Sequence, residues 1–96
     1  MRTMYLVSYD VSDAKRLRRV FKAMRGFGDH LQYSVFRCDL SARERADMIA
    51  AIDAIIDHAA DQVLIVDLGP PDGRAADCFL SLGRPYTPPE RLAVVV

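Results

Sequence analysis

The feature that most limits how this chain can fold is the way its hydrophobic period switches along the sequence. From Met4 to Tyr9 the residues Met-Tyr-Leu-Val-Ser-Tyr are aromatic, β-branched and apolar, and they end at Asp10, the profile of a buried strand closing into a turn. Beyond Ser12 and Asp13, either of which can cap a helix, the period changes: Leu17, Val20, Phe21 and Met24 recur at i, i+3, i+4 and i+7 until Gly26 and Gly28 stop the pattern. An extended pattern returns over residues 31–38, with Leu31, Tyr33 and Val35 on one side and Gln32, Ser34 and Phe36 on the other; it fits one bent strand or two short ones equally well. Ser41-Ala-Arg-Glu44 is a capping box that opens a second helix, whose buried stripe is expected to be Met48, Ile49, Ile52, Ile55, Ile56 and Ala59. The β-branched run Gln62–Leu68 is another strand, and Gly69-Pro-Pro-Asp-Gly73 an exposed turn.

The order strand, helix, strand or strands, helix, strand, without long crossovers, predicts an α+β fold of the ferredoxin-like βαββαβ type, with two helices on one face of an antiparallel sheet. At 96 residues the chain fits one small domain, assigned to 1–84. Within it, Phe79 to Gly83 is a further candidate short strand. Residues 85–96 read as a stiff Pro-rich linker followed by an extra C-terminal strand, Leu92 to Val96. The helix-free sheet face and this uncovered strand both need a partner, so a homodimer is expected, with the last strand pairing to the partner subunit's sheet edge.

A hydrophobic content of 51% beside 27% charged residues excludes a disordered tail or a collagen-like chain. The two cysteines, Cys38 and Cys78, have no short pairing spacing and are expected to be small buried residues. The N-terminal Met-Arg-Thr-Met lacks the apolar run of a signal peptide, and no apolar stretch approaches the roughly 20 residues that cross a bilayer. The cytoplasm is the expected location, with no membrane partner.

Thirteen Lys and Arg balance thirteen Asp and Glu, so net charge alone gives no argument for a polyanion. The halves differ, however: residues 1–40 carry 8 basic and 4 acidic side chains, residues 41–96 carry 5 and 9. The basic excess is concentrated on the polar face of the first helix, where Lys15, Arg16, Arg18, Arg19, Lys22 and Arg25 stand against Asp13, whereas the second helix shows Asp47, Asp53 and Asp57. Such a row is either a solvated face or a track for a nucleic-acid backbone, held by salt-dependent attraction to phosphate without reading bases.

Asp10, at the end of the first strand, has two readings as well. It serves the turn and the dipole of the following helix, or it holds a hard cation, since Mg²⁺ is commonly bound by one or two protein carboxylates with water and phosphate filling the octahedron. In a two-fold dimer a second Asp10 can complete a site that neither chain contains alone. His30 and His58 show no zinc spacing, Ser8, Ser12 and Ser34 show no triad logic, and no glycine pattern matches a phosphate-binding loop.

Tyr9-Asp10-Val-Ser-Asp13, the helix with Arg18-Arg19-Val20, then Gly28, Gln32-Tyr-Ser-Val-Phe36 and Asp39-Leu40 together resemble the Cas2 family of CRISPR-associated proteins over about residues 4 to 83. The resemblance implies a ferredoxin-like homodimer that binds duplex DNA and bridges the Cas integrase of the adaptation complex during spacer acquisition. It also implies Mg²⁺-dependent endonuclease activity on RNA or DNA, as described for many members. Asp10 matches the family's catalytic, metal-binding aspartate at the dimer interface, while Tyr9, Arg19 and Phe36 match positions of the nuclease or nucleic-acid surface. With these, Arg16 and Arg18 of the cationic row are expected to contact phosphate. Two positions depart from the pattern: His30 stands where arginine is frequent, and Leu17 where some relatives are basic. The competing reading is a ferredoxin-like small-ligand sensor or protein-interaction module without catalysis, with the arginine face solvated and Asp10 acting as a cap.

Overall fold

The computed structural model describes residues 1–85. The elements are β1 (Arg2–Asp10), α1 (Ala14–Met24), β2 (Asp29–Gln32), β3 (Val35–Ser41), α2 (Ala42–Asp53) and β4 (Gln62–Asp67), followed by a single 3₁₀ turn at Arg74–Ala76. The sheet order is β2-β3-β1-β4, with every neighbouring pair antiparallel. This is the expected ferredoxin-like arrangement: α1 links β1 to β2 and α2 links β3 to β4, each crossover spanning a strand that belongs to the other.

Local chemistry accounts for the boundaries. Asp13 caps α1 by accepting the Arg16 amide at 3.0 Å. At α2 the capping box is complete, Ser41 Oγ accepting from Glu44 N at 3.1 Å and the Glu44 carboxylate accepting from Ser41 N at 2.9 Å. The ambiguous segment 31–38 resolves into two strands, because Tyr33 takes a left-handed φ of 36° and turns the chain back on itself. Gly28 is needed where β2 begins: a Cβ there would lie 2.4 Å from Cys38 Sγ and 2.5 Å from the Arg37 carbonyl oxygen.

Strand alternation sorts the side chains. Val7 stands between Phe36 of β3 and Ile65 of β4, and Tyr9 beside Val63, all facing the helices. With Cys38, Leu40, Val20, Met24, Met48 and Ile52 they form the core. The opposite face carries Met4, Leu6, Ser8 and Asp10 of β1, Val35 and Arg37 of β3, and Leu64 and Val66 of β4, with no helix over it among the described residues.

Several expectations are corrected. Leu17 and Ile49 lie at the flanks of their helices and are 36% and 37% exposed, outside the buried stripes. Helix α2 stops at Asp53; Ile55 and Ile56 reach the core from the turn beyond it, and Ala59 is exposed. Asp57 keeps the segment beyond it from resuming the helix, since its carboxylate accepts the Ala59 and Ala60 amides and holds a local turn. Phe79 to Gly83 forms no strand: Phe79 instead lies under the Arg37 guanidinium at 5.8 Å, and Leu80 and Leu82 project outward. Cys38 is buried, but Cys78 is exposed because it follows the 3₁₀ turn outside the sheet. The expected C-terminal strand, Leu92 to Val96, and the linker beyond Pro85 lie outside the described residues. Among the described residues no helix is long and apolar enough to cross a membrane.

Candidate nucleic-acid interface and metal site

Asp10 is the last residue of β1, opposite Gln62 of β4, and it is exposed. Its neighbours Tyr9 and Val11 are buried on the helix side, so alternation places Asp10 on the open face in line with Leu6 and Ser8. It is not the helix cap, which is Asp13. Among the described residues no hydrogen bond or ion pair engages its carboxylate, and no three His, Cys, Asp or Glu side chains cluster to form a metal cage. A single unpaired carboxylate, fixed by a strand, fits an ion such as Mg²⁺ that takes one or two protein ligands and completes its shell with water and phosphate.

The cations of α1 divide into two groups. Arg16 is engaged: its Nε donates to Asp61 Oδ2 at 2.9 Å and its Nη2 to Asp61 Oδ1 at 3.3 Å. Asp61 also accepts the amides of Ser12 at 3.0 Å and Asp57 at 2.8 Å. The Arg16 guanidinium, with the Asp57 and Ser12 amides, holds the Asp61 carboxyl well below the usual carboxylate range. Arg16 therefore ties the start of α1 to the loop before β4, and it is not a free phosphate ligand of the kind expected from the sequence. Lys15, Arg18, Arg19 and Lys22 form no ion pair among the described residues, and Arg25 rests over the Phe21 ring at 5.9 Å.

These four free cations rim a groove of about 800 Å³ whose walls are Tyr9, Leu17, Phe21, Tyr33 and Ser34. Tyr9 and Phe36, expected at a nucleic-acid surface, lie beneath it. Phe36 is fully buried, so it has no ring face to offer a base; it braces the groove instead, stacked with Tyr9 at 6.2 Å and edge-on to Phe21 at 5.6 Å. Tyr9 is also buried, only 5% exposed. Burial pushes its phenol pKa up, partly offset by the hydrogen bond with Ser34, so the hydroxyl stays protonated.

His30, where the motif tends to arginine, braces the hairpin. Its Nε2 is 2.7 Å from the Tyr33 carbonyl oxygen, and its ring packs against Phe21 at 4.9 Å and Phe36 at 5.0 Å. Tyr33 and Asp61 are participants that the sequence reading does not single out. Alternation and the strand preference of an aromatic residue both put Tyr33 within a strand, and no local signal marks it as a turn position. Asp61 carries no local motif, because its partner Arg16 is 45 residues away.

Comparisons with known proteins converge on one family. The sequence profile of CRISPR associated protein Cas2 matches residues 1–73. The chain is 46% identical, over the whole of both chains, to the CRISPR-associated endoribonuclease Cas2 of Geobacter sulfurreducens. It is 42% identical to the CRISPR-associated endoribonuclease Cas2 1 of Rhodospirillum rubrum, covering 96% of this chain and 89% of that one. The crystal structure of Streptococcus pyogenes Cas2 at pH 6.5 superposes with a TM-score of 0.71 at 32% identity, over 83% of this chain and 99% of the other. With its fold and its Tyr9-Asp10 strand end in place, the chain belongs to the CRISPR-associated Cas2 family.

Proposed function

We propose that this chain is a CRISPR adaptation protein that acts as a two-fold homodimer in the cytoplasm, binds duplex nucleic acid through α1, bridges the Cas integrase during spacer acquisition, and hydrolyses phosphodiester bonds with Mg²⁺ at Asp10. The observation that carries this reading is the placement of four unpaired cations, Lys15, Arg18, Arg19 and Lys22, along one exposed helix that begins just past an unpaired, strand-anchored carboxylate. Metal-dependent phosphodiester hydrolysis uses both elements, positive charge to hold the phosphate chain and a metal ligand beside it.

The open face favours the dimer. Leu64 and Val66 are 53% and 46% exposed on a strand surface that also presents Leu6 and Val35, and such a patch is stabilised when a second copy covers it. Asp10 lies on that same face, so face-to-face association brings the two carboxylates toward the two-fold axis. Asp10 of each chain would hold the Mg²⁺, which when bound supplies charge neutralisation at the phosphate and a more acidic water. The chain's own residues do the rest: Lys15, Arg18, Arg19 and Lys22 bind and orient the phosphate backbone, while Arg16 and Asp61 fix the angle of α1 against the sheet.

Asp10→Asn is the test, because it keeps the shape and removes the charge. Mg²⁺-dependent cleavage of RNA and duplex DNA should collapse in that variant, while dimerisation and duplex binding survive. Full cleavage by Asp10→Asn would falsify the metal role. Duplex binding and spacer integration without cleavage in the wild type would leave the scaffold function and remove the nuclease.

A further inference from the structure

The tip of the β2–β3 hairpin is built unlike the rest of the surface. Tyr33 is 92% exposed, the one fully solvated aromatic ring among the described residues, and it is also their one non-glycine residue with a positive φ. A bulky side chain in the left-handed region is strained by on the order of 1 kcal/mol or more, and it persists only where its surroundings hold it. Here the holder is visible: the Tyr33 carbonyl is 2.7 Å from His30 Nε2, and the His30 ring is wedged against Phe21 and Phe36. An exposed histidine whose ring rests on Phe21 and Phe36 thus holds an aromatic ring out to solvent at one end of a groove walled by Leu17 and Phe21.

The groove's rim decides what fits. Lys15, the adjacent pair Arg18 and Arg19, and Lys22 fall on successive turns of the helix, roughly 5 Å apart along the axis, and no carboxylate lines the groove among the described residues. A ligand with a regularly repeated negative charge and flat apolar groups matches a row of cations next to an aromatic platform. A rigid duplex satisfies only the cations, because its bases are stacked away from Tyr33.

We propose that Tyr33 is a base-stacking residue, and that the groove between α1 and the β2–β3 turn takes single-stranded nucleic acid, with an unpaired base on the Tyr33 ring and its flanking phosphates on Lys15, Arg18, Arg19 and Lys22. This rests on the nucleic-acid reading of α1 and adds a strand preference to it: the protein grips frayed or overhanging ends, or single strands, in addition to duplex backbone. Since every base has a π-face, the site is tolerant of sequence and takes DNA or RNA.

The test is fluorescence of single-stranded DNA and RNA oligonucleotides carrying 2-aminopurine, titrated with the full-length protein, with a blunt duplex as reference. Wild type should quench the 2-aminopurine on binding. Tyr33→Ala should lose the quench and weaken single-strand affinity about tenfold or more, leaving blunt-duplex affinity unchanged. Tyr33→Phe should behave as wild type, and Tyr33→Leu, large and apolar but without a π-face, as Tyr33→Ala. Circular dichroism melts of the variants should match wild type, since the ring makes no core contact. Unchanged single-strand affinity in Tyr33→Ala, with duplex binding intact, would overturn the stacking site and leave the function of α1 standing. No binding to either nucleic acid by the wild type would overturn both readings.

Discussion

The helix-covered face of the sheet and its open face are made from alternate residues of the same strands, and they are finished to different degrees. On the covered side Val7, Tyr9, Phe36 and Cys38 are sealed by Val20, Met24, Met48 and Ile52. On the other, Leu6, Val35, Leu64 and Val66 continue the apolar pattern, and residues of the 79–85 segment line a pocket with Leu6 and Val35 while Leu64 and Val66 stay exposed. One chain of this size closes one core; the second apolar face is the part of the fold that calls for another molecule. Asp10 belongs to the second face and Tyr9 to the first, so a single peptide bond separates a residue that stabilises the subunit from one proposed to serve an assembled site.

The largest effect should come from breaking the covered face. Phe36→Ala removes the ring on which Tyr9, Phe21 and His30 rest and should cost about 3–5 kcal/mol, enough to unfold much of the population at moderate temperature. Denaturant titration followed by circular dichroism measures it. A loss below about 1 kcal/mol would mean that the groove floor is not part of the core.

Breaking the open face should act on assembly instead. Leu64→Asp with Val66→Asp places charges where the partner subunit is proposed to sit, and should weaken dimerisation by at least about a hundredfold while the monomer remains folded. Sedimentation velocity across a concentration series distinguishes the outcomes, and an unchanged dimer would move the interface elsewhere.

A smaller effect lies at the junction of the two faces, where Arg16 and Asp61 join α1 to the loop before β4. Because the folded-state pKa of Asp61 is depressed, its contribution is present above the ordinary carboxylate pKa near 4 and is lost as pH falls below it. Asp61→Asn should therefore lower the melting temperature by about 5 °C at neutral pH, and the gap from wild type should narrow toward about pH 2. A gap independent of pH would show that the carboxylate charge is not what matters.

How much of this is legible in the sequence follows from the range of each interaction. The capping box at Ser41, the Asp13 cap and the alternation from Met4 to Tyr9 are local, and they place the elements and their order correctly. The hairpin between β2 and β3 stays ambiguous in the sequence because Tyr33 is an uncommon residue for a left-handed turn, and what stabilises it, the His30 contact, is tertiary. Arg16 reads as one of six equivalent cations because helical spacing cannot show that Asp61 will fold against it. Phe36 reads as surface by family resemblance, whereas its place between Tyr9 and Phe21 emerges only from β1–β3 pairing.

The most direct test of the whole account is the salt dependence of duplex DNA binding by the wild type and by Arg18→Ala with Arg19→Ala. If α1 is a phosphate track, log affinity should fall linearly with log salt concentration, and the double variant should flatten that slope by about 1.8, or about 0.9 for each lost contact. Identical slopes, or no measurable binding by the wild type at low salt, would contradict it and return the cationic row to a solvated helix face.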